Sequence, residues 1–147
     1  MSEDKERKVR LQFLEEAQEY LDTIESGLLG LGNGSVDSKG LDALLRAAHS
    51  IKGGAAMMSF QALSHLAHRL EDFFKVLKAG KSEAVDEDLE RLLLSSVDRL
   101  RQIVALNRQG SAVEQEWLEA NASPVFDQLH ARLGDPQPED TTALLSE

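Results

Sequence analysis

Cysteine is absent from this chain of 147 residues. Disulfides, thiolate nucleophiles and cysteine-based zinc sites are thereby excluded together, and a reducing compartment fits. Proline is nearly absent too: Pro124, Pro136 and Pro138 all lie in the last quarter, which leaves the rest free for helices. Positive charge is scarce, with 16 Lys and Arg against 26 Asp and Glu, a formal net charge of −10. Nucleic acid and anionic membrane surfaces both reward clustered cations, so neither is an expected partner. No apolar run approaches the roughly 18 residues of a membrane span; Leu92-Leu93-Leu94 ends almost at once in polar residues. The opening MSEDKERKVR carries charge where a secretion signal needs an apolar stretch. These absences predict a soluble, acidic, cytoplasmic chain with one domain and a core that needs no disulfide or metal.

What is present is apolar spacing in steps of three and four. Leu14, Ala17, Leu21, Ile24, Leu28 and Leu31 form a first stripe that stops in GLGNGS. Leu41, Leu44, Leu45, Ala48, Ile51, Ala55 and Met58 form a second. The third takes Leu63, Leu66, Ala67, Leu70, Phe73, Phe74 and Leu77 and closes at Ala79-Gly80. The fourth runs through Leu89, Leu92, Leu93, Val97, Leu100, Ile103 and Val104. Asp86, Glu87 and Asp88 stand at its front, where carboxylates suit the helix dipole. A weaker fifth segment holds Trp117, Val125, Phe126, Leu129 and Leu133, with Ser123-Pro124 reading as an N-cap and a restart. The pattern predicts an all-α fold, an antiparallel four-helix bundle with an additional C-terminal helix, over residues 1–133. Residues 134–147, rich in Pro, Asp, Glu and Thr, read as an acidic linker or disordered tail.

Helix two carries the informative segment, Arg46-Ala47-Ala48-His49-Ser50-Ile51-Lys52-Gly53-Gly54. His49 falls beside the apolar stripe, toward solvent, and Lys52 and Gly53 share its face one turn on. Two glycines inside a helix cost roughly 1 kcal/mol each relative to alanine. Either the helix ends at Gly53 as a C-cap, or it continues and the missing side chains give clearance for a partner. Ile51, Ala55 and Met58 continue the helical spacing through the glycines. On the second reading a cation, an exposed imidazole and bare backbone point to transient phosphorylation of His49.

Helix three adds His65, His68 and Glu71. If helices two and three turn near Ser59, positions summing to about 118–120 face each other at 1.5 Å per residue. Glu71 then lies across from His49, where a carboxylate would fix the ring tautomer and leave the other nitrogen as nucleophile. The plainer reading pairs Glu71 with Lys75 at i+4 on a solvated face.

The run AAHSIKGGAAMMSFQALSHLAHRLEDFFKVLK resembles the histidine-containing phosphotransfer (HPt) domain, in the form that begins CheA-like chemotaxis kinases. The resemblance is strongest over Leu41 to Leu77. It implies His49 as phosphoacceptor, Lys52 as the stabilising cation, Gly53 as the clearance position, and His68 with Glu71 as a supporting hydrogen-bond network. It implies two partners: a histidine-kinase catalytic domain that delivers the γ-phosphoryl of ATP, and a response-regulator receiver whose aspartate removes it. The dimerisation helices and ATP-binding domain of such kinases are not among these residues, so the expectation is a first domain or a free-standing carrier. With no Gly-rich phosphate loop and no Mg²⁺-binding carboxylate cluster, no cofactor and no ATP hydrolysis are expected of it alone.

Two rival readings belong to other classes. His65, His68 and Glu71 could gather a metal, but the matching Glu-x-x-His set on a second helix is missing. A docking module that is never phosphorylated would leave His49, Lys52 and Gly53 without an evident use. His130 reads as a surface side chain and Trp117 as an anchor for the last helix.

Overall fold

Leucines and alanines spaced by three and four give each long helix one apolar face, and four such faces close on one another. The computed structural model describes residues 2–29, 31, 38–80 and 85–137, and these contain helices and no strand. The elements are α1 (Ser2–Leu28), α2 (Ser38–Met57), α3 (Gln61–Ala79), α4 (Glu87–Arg108), α5 (Gln115–Trp117), a π-helical turn (Leu118–Ala122) and α6 (Ser123–Leu133). The GLGNGS stop, apart from Leu31, lies outside the described residues, as does the tail beyond Gln137.

The sequence stripes are the core. All six positions of the first stripe are buried, as are Leu44, Ala48, Ile51 and Ala55 of α2 and all seven of α3. Burial of each Leu or Phe contributes roughly 1.5–3 kcal/mol. Close approaches set the directions. A Cβ on Gly54, late in α2, would strike the Phe13 ring early in α1, while Gly27 late in α1 abuts Leu44 early in α2. The two helices are therefore antiparallel. Arg101 of α4 reaches Gln18 at 2.8 Å, Asp22 at 2.8 Å and Glu25 at 3.0 Å, closing the bundle back onto α1.

Two ends are capped as the sequence suggests. Gly80 takes the left-handed conformation after α3 (φ 69°), and Asp86 accepts from the Leu89 N–H at 2.8 Å at the start of α4. Arg132 of α6 grips the same carboxylate at 3.1 and 3.2 Å. Its guanidinium, helped by the Leu89 N–H, holds Asp86 below the ordinary carboxylate range. Phe126 fixes the other side of α6 by packing on Phe73, with Arg69 over its ring.

One expectation needs correction. Ser123 is not an N-cap: its backbone is helical (φ −54°, ψ −40°) and its N–H reaches back to Leu118 O across a π turn. Pro124 has no donor for an ordinary helical bond. The widened turn absorbs that loss, and the Asn121 side chain donates to Trp117 O at 3.0 Å.

The turn that aligns α2 with α3 is a Schellman motif. Phe60 N–H bonds Ala55 O at 2.8 Å and Ser59 N–H bonds Ala56 O at 3.2 Å. It requires Ser59 at φ 66°, the one positive φ outside glycine among the described residues. A left-handed residue with a Cβ costs about 1–2 kcal/mol, against roughly 0.5–1 kcal/mol of extra entropy for glycine. Ser59→Gly should therefore raise unfolding stability by about 0.5–1 kcal/mol in urea titrations. A loss of stability would mean that the serine side chain itself holds the turn.

Candidate functional site

The register of that turn brings His49 and Glu71 together. Ala48 and Ile51 on either side are fully buried, which turns His49 to the edge of the α2 face with its side chain 66% exposed. Glu71 follows Leu70 on α3 and is only 7% exposed. Its Oε2 lies 2.9 Å from His49 Nδ1, and its Oε1 accepts from Lys52 Nζ at 2.7 Å. The expected His49–Glu71 bond is present. The solvated pairing with Lys75 is not: Lys75 lies 3.8 Å from Asp72 instead.

Burial pushes the Glu71 carboxyl upward, but the bonds from Lys52 and His49 and the charges of Lys52 and Lys75 outweigh it and lower its pKa below 4.5. At neutral pH Glu71 is ionised and can only accept. Nδ1 of His49 must therefore carry a proton, and Nε2, on the far side of the ring, is the nitrogen that this bond leaves uncommitted. Lys52 has a role that linear spacing does not reveal. A nearly buried carboxylate needs a countercharge, and Lys52, 26% exposed, supplies it from one turn beyond the imidazole.

The two glycines separate. The α2 helix runs through both to Met57, so the C-cap reading is corrected: the apolar stripe on the far side keeps the helix intact. A Cβ on Gly53 would meet nothing within 4 Å, whereas one on Gly54 would collide with Cε1 of the Phe13 ring. Only Gly53 is open clearance, and Gly54 makes room for an internal ring.

His68 is not drawn into this cluster. It is half exposed, its Nε2 stands 3.8 Å from Asp72, and it bonds neither His49 nor Glu71 among the described residues. Asp72 is absent from the residues expected on sequence, although its i+4 spacing from His68 was a signal. Burial raises its pKa, against the pull of the His68 and Lys75 charges. Two further residues were missed. Ser64 Oγ donates to the Lys52 carbonyl at 3.1 Å, pinning α3 to α2 beneath the site. Met57, one turn past Gly53, is 81% exposed. The metal reading loses its donors: Glu71 turns inward to His49 and Lys52, and His68 turns to Asp72. Among the described residues no cluster of three or more His, Asp or Glu could hold an ion.

Bundle and site together define a helical domain that presents one imidazole oriented across a helix hairpin. The chain belongs to the Hpt domain family, whose model matches residues 8–103. It is 37% identical over 98 residues to the chemotaxis protein CheA of Borreliella burgdorferi, covering 67% of this chain and 11% of that protein. Against the chemotaxis protein CheA of Rhizobium meliloti it is 34% identical over 103 residues, covering 70% and 14%. The chain thus spans a small part of these relatives' length. The phosphorylated P1 domain of CheA3, solved in complex with CheY6 from R. sphaeroides, matches it with a TM-score of 0.72. That match covers 89% of this chain and 99% of the other at 23% identity, and it shows the shared fold.

The contrast between the glycines can be measured. Gly53→Ala should leave stability unchanged or raise it by up to ~1 kcal/mol, while Gly54→Ala should lower it by about 1–3 kcal/mol as Phe13 is displaced. Parallel thermal melts decide, and equal effects would mean that the two glycines are not distinct. For Glu71, the lowered folded-state pKa means that its stabilisation is fully present at pH values above the ordinary glutamate range and is lost as pH falls through the lower folded value. The stability gap between the parent chain and Glu71→Gln should therefore shrink on acidification through and below the ordinary glutamate range, and the ¹⁵N shifts of His49 should show a mixed tautomer in the variant. A pH-independent gap with an unaltered tautomer would remove Glu71 from the site.

Proposed function

We propose that this chain is a phosphoryl carrier of a two-component phosphorelay, and that it works in the cytoplasm. His49 accepts the γ-phosphoryl of ATP from a separate histidine-kinase catalytic domain and passes it to an aspartate of a response-regulator receiver domain. The observation that carries this reading is the bond from His49 Nδ1 to the buried Glu71 carboxylate. It leaves the Nε2 lone pair outward as the nucleophile. Attack on the γ-phosphorus forms the N–P bond and releases ADP, while Nδ1 keeps its proton and the ring's positive charge is balanced by Glu71. The regulator's carboxylate then attacks phosphorus, the N–P bond breaks, and the ring returns to neutral imidazole.

The surroundings support the same reading. Lys52 places an ammonium beside the incoming phosphoryl oxygens. Gly53 leaves the helix surface bare next to His49, and exposed Met57 offers a partner an apolar contact. ATP and its metal ion belong to the kinase partner, so this chain contributes orientation and charge. His68, on the same helix as Glu71, takes a secondary place through Asp72. The CheA proteins it resembles are chemotaxis proteins, and the related P1 domain was solved phosphorylated and bound to CheY6. No helix among the described residues is long and apolar enough to cross a membrane. Residues 134–147 serve the carrier as an acidic linker or tail.

Incubation with a CheA-type catalytic domain and labelled ATP should produce an acid-labile, base-stable label that His49→Gln abolishes. Glu71→Gln should slow labelling by roughly 10–100-fold, the usual cost of losing a group that orients a reactive imidazole. Gly53→Gln should spare labelling less than Gly53→Ala and should slow transfer to the receiver. A label that persists in His49→Gln would move the site to His65, His68 or His130 and overturn the assignment.

A further inference from the structure

Ten residues along the chain from His49, roughly 15 Å at 1.5 Å per residue, the bundle ends in a cleft of about 700 Å³. It opens between the first turns of α1, the α2–α3 turn and the connection after α4. Arg7, Arg10 and Arg108 line it, and none of the three makes an ion pair among the described residues. Arg69, Arg91, Arg101 and Arg132 are each paired with a carboxylate, whereas the three arginines of the cleft converge on one cavity with their charges unneutralised. The Arg10 guanidinium carbon lies over the Phe60 ring, 4.5 Å from its centroid.

Other donors share the wall. Gln61 and Ala62 line the cleft at the start of α3, whose N-cap Phe60 offers no side-chain acceptor to their N–H groups. Asn107 lines it too, and its Nδ2 is buried without a hydrogen-bond partner. Glu3 and Glu6 complete the rim, each four residues before Arg7 and Arg10 respectively. That is the spacing of a helical ion pair, so they compete with any weak anion and raise the charge that a ligand must bring.

We propose that this cleft binds a small polyanion, a molecule with two or more phosphate or carboxylate groups held by the guanidinium forks of Arg7, Arg10 and Arg108. A guanidinium presents paired N–H groups to an oxyanion, whereas a single monoanion cannot satisfy three forks at once. Bound there, the ligand bridges the N-terminal turns of α1 to the end of α4 and stabilises the folded bundle by mass action. The site is separate from His49 and does not depend on phosphotransfer.

The test is a titration of the ¹⁵N-labelled chain with pyrophosphate and, separately, with citrate, each at ionic strength matched with sodium chloride. Saturable amide shifts are expected at Gln61, Ala62 and residues 107–113, with the signals around His49 unmoved and the melting temperature raised by a few degrees. Tighter pyrophosphate binding assigns the site to phosphates, and tighter citrate binding assigns it to carboxylates. The Arg10→Gln/Arg108→Gln pair should weaken binding at least tenfold, while Arg91→Gln, which lies outside the cleft, should bind as the parent does. If the glutamine pair does not fold, the Arg10→Lys/Arg108→Lys pair keeps the charge, loses the forks and should bind several-fold more weakly. Shifts that merely track those of sodium chloride, or undiminished binding in the folded variants, overturn the proposal.

Discussion

The structure turns on one buried carboxylate. Glu71 sits almost entirely inside the α2–α3 interface, where an unpaired negative charge would cost several kcal/mol. Both of its oxygens are engaged, one by the His49 ring and one by the Lys52 ammonium. Burial makes those bonds strong, since little water competes for them. The bonds in turn make burial tolerable. The carboxylate stays ionised, the imidazole is held in one tautomer, and a lysine is kept beside it. Orientation of the ring and neutralisation of the charge are thus two consequences of the same contact.

That contact depends on register, and the register is fixed by backbone rather than by the site. The left-handed Ser59 closes a turn that places position 49 opposite 71. Ser64 bonded to the Lys52 carbonyl and Lys78 bonded to Asp42 at 2.7 Å tie α3 to α2 on either side of the site. Slippage by one residue would rotate Glu71 by about 100° on its helix and separate it from both partners. A site built on two tied helices holds its geometry better than one carried by loops.

Periodicity makes most of this legible in the amino-acid order alone. Stripes of six or seven apolar residues define the long helices, and counting outward from Ser59 pairs His49 with Glu71. What escapes depends on the third dimension. Spacing offers Lys52 only as a cation for an anion carried on His49, because nothing in linear order says that Glu71 is buried and needs a countercharge as well. Asp72 is hidden because its partners, His68 and Lys75, are equally well spaced to serve Glu71. The dipeptide Ser123-Pro124 has the form of a cap because it starts helices elsewhere, whereas here a π turn carries the chain through. Gly54 cannot be distinguished from Gly53 by spacing, since its reason is the Phe13 ring far back in α1.

The two glycines show where fold and function part. They are neighbours, so they point about 100° apart around α2, and each costs the helix roughly 1 kcal/mol. The cost of Gly54 is offset inside the protein: Phe13 lies against the bare backbone and stacks on Phe60 at 6.3 Å. Gly53 has no such return, because among the described residues no neighbouring side chain or other helix comes within 4 Å of the place where its Cβ would be. Alanine there would fit and would strengthen the helix. In the proposed carrier, Gly53 lies one turn from an oriented histidine and leaves the helix surface bare for the close approach of a second protein to His49.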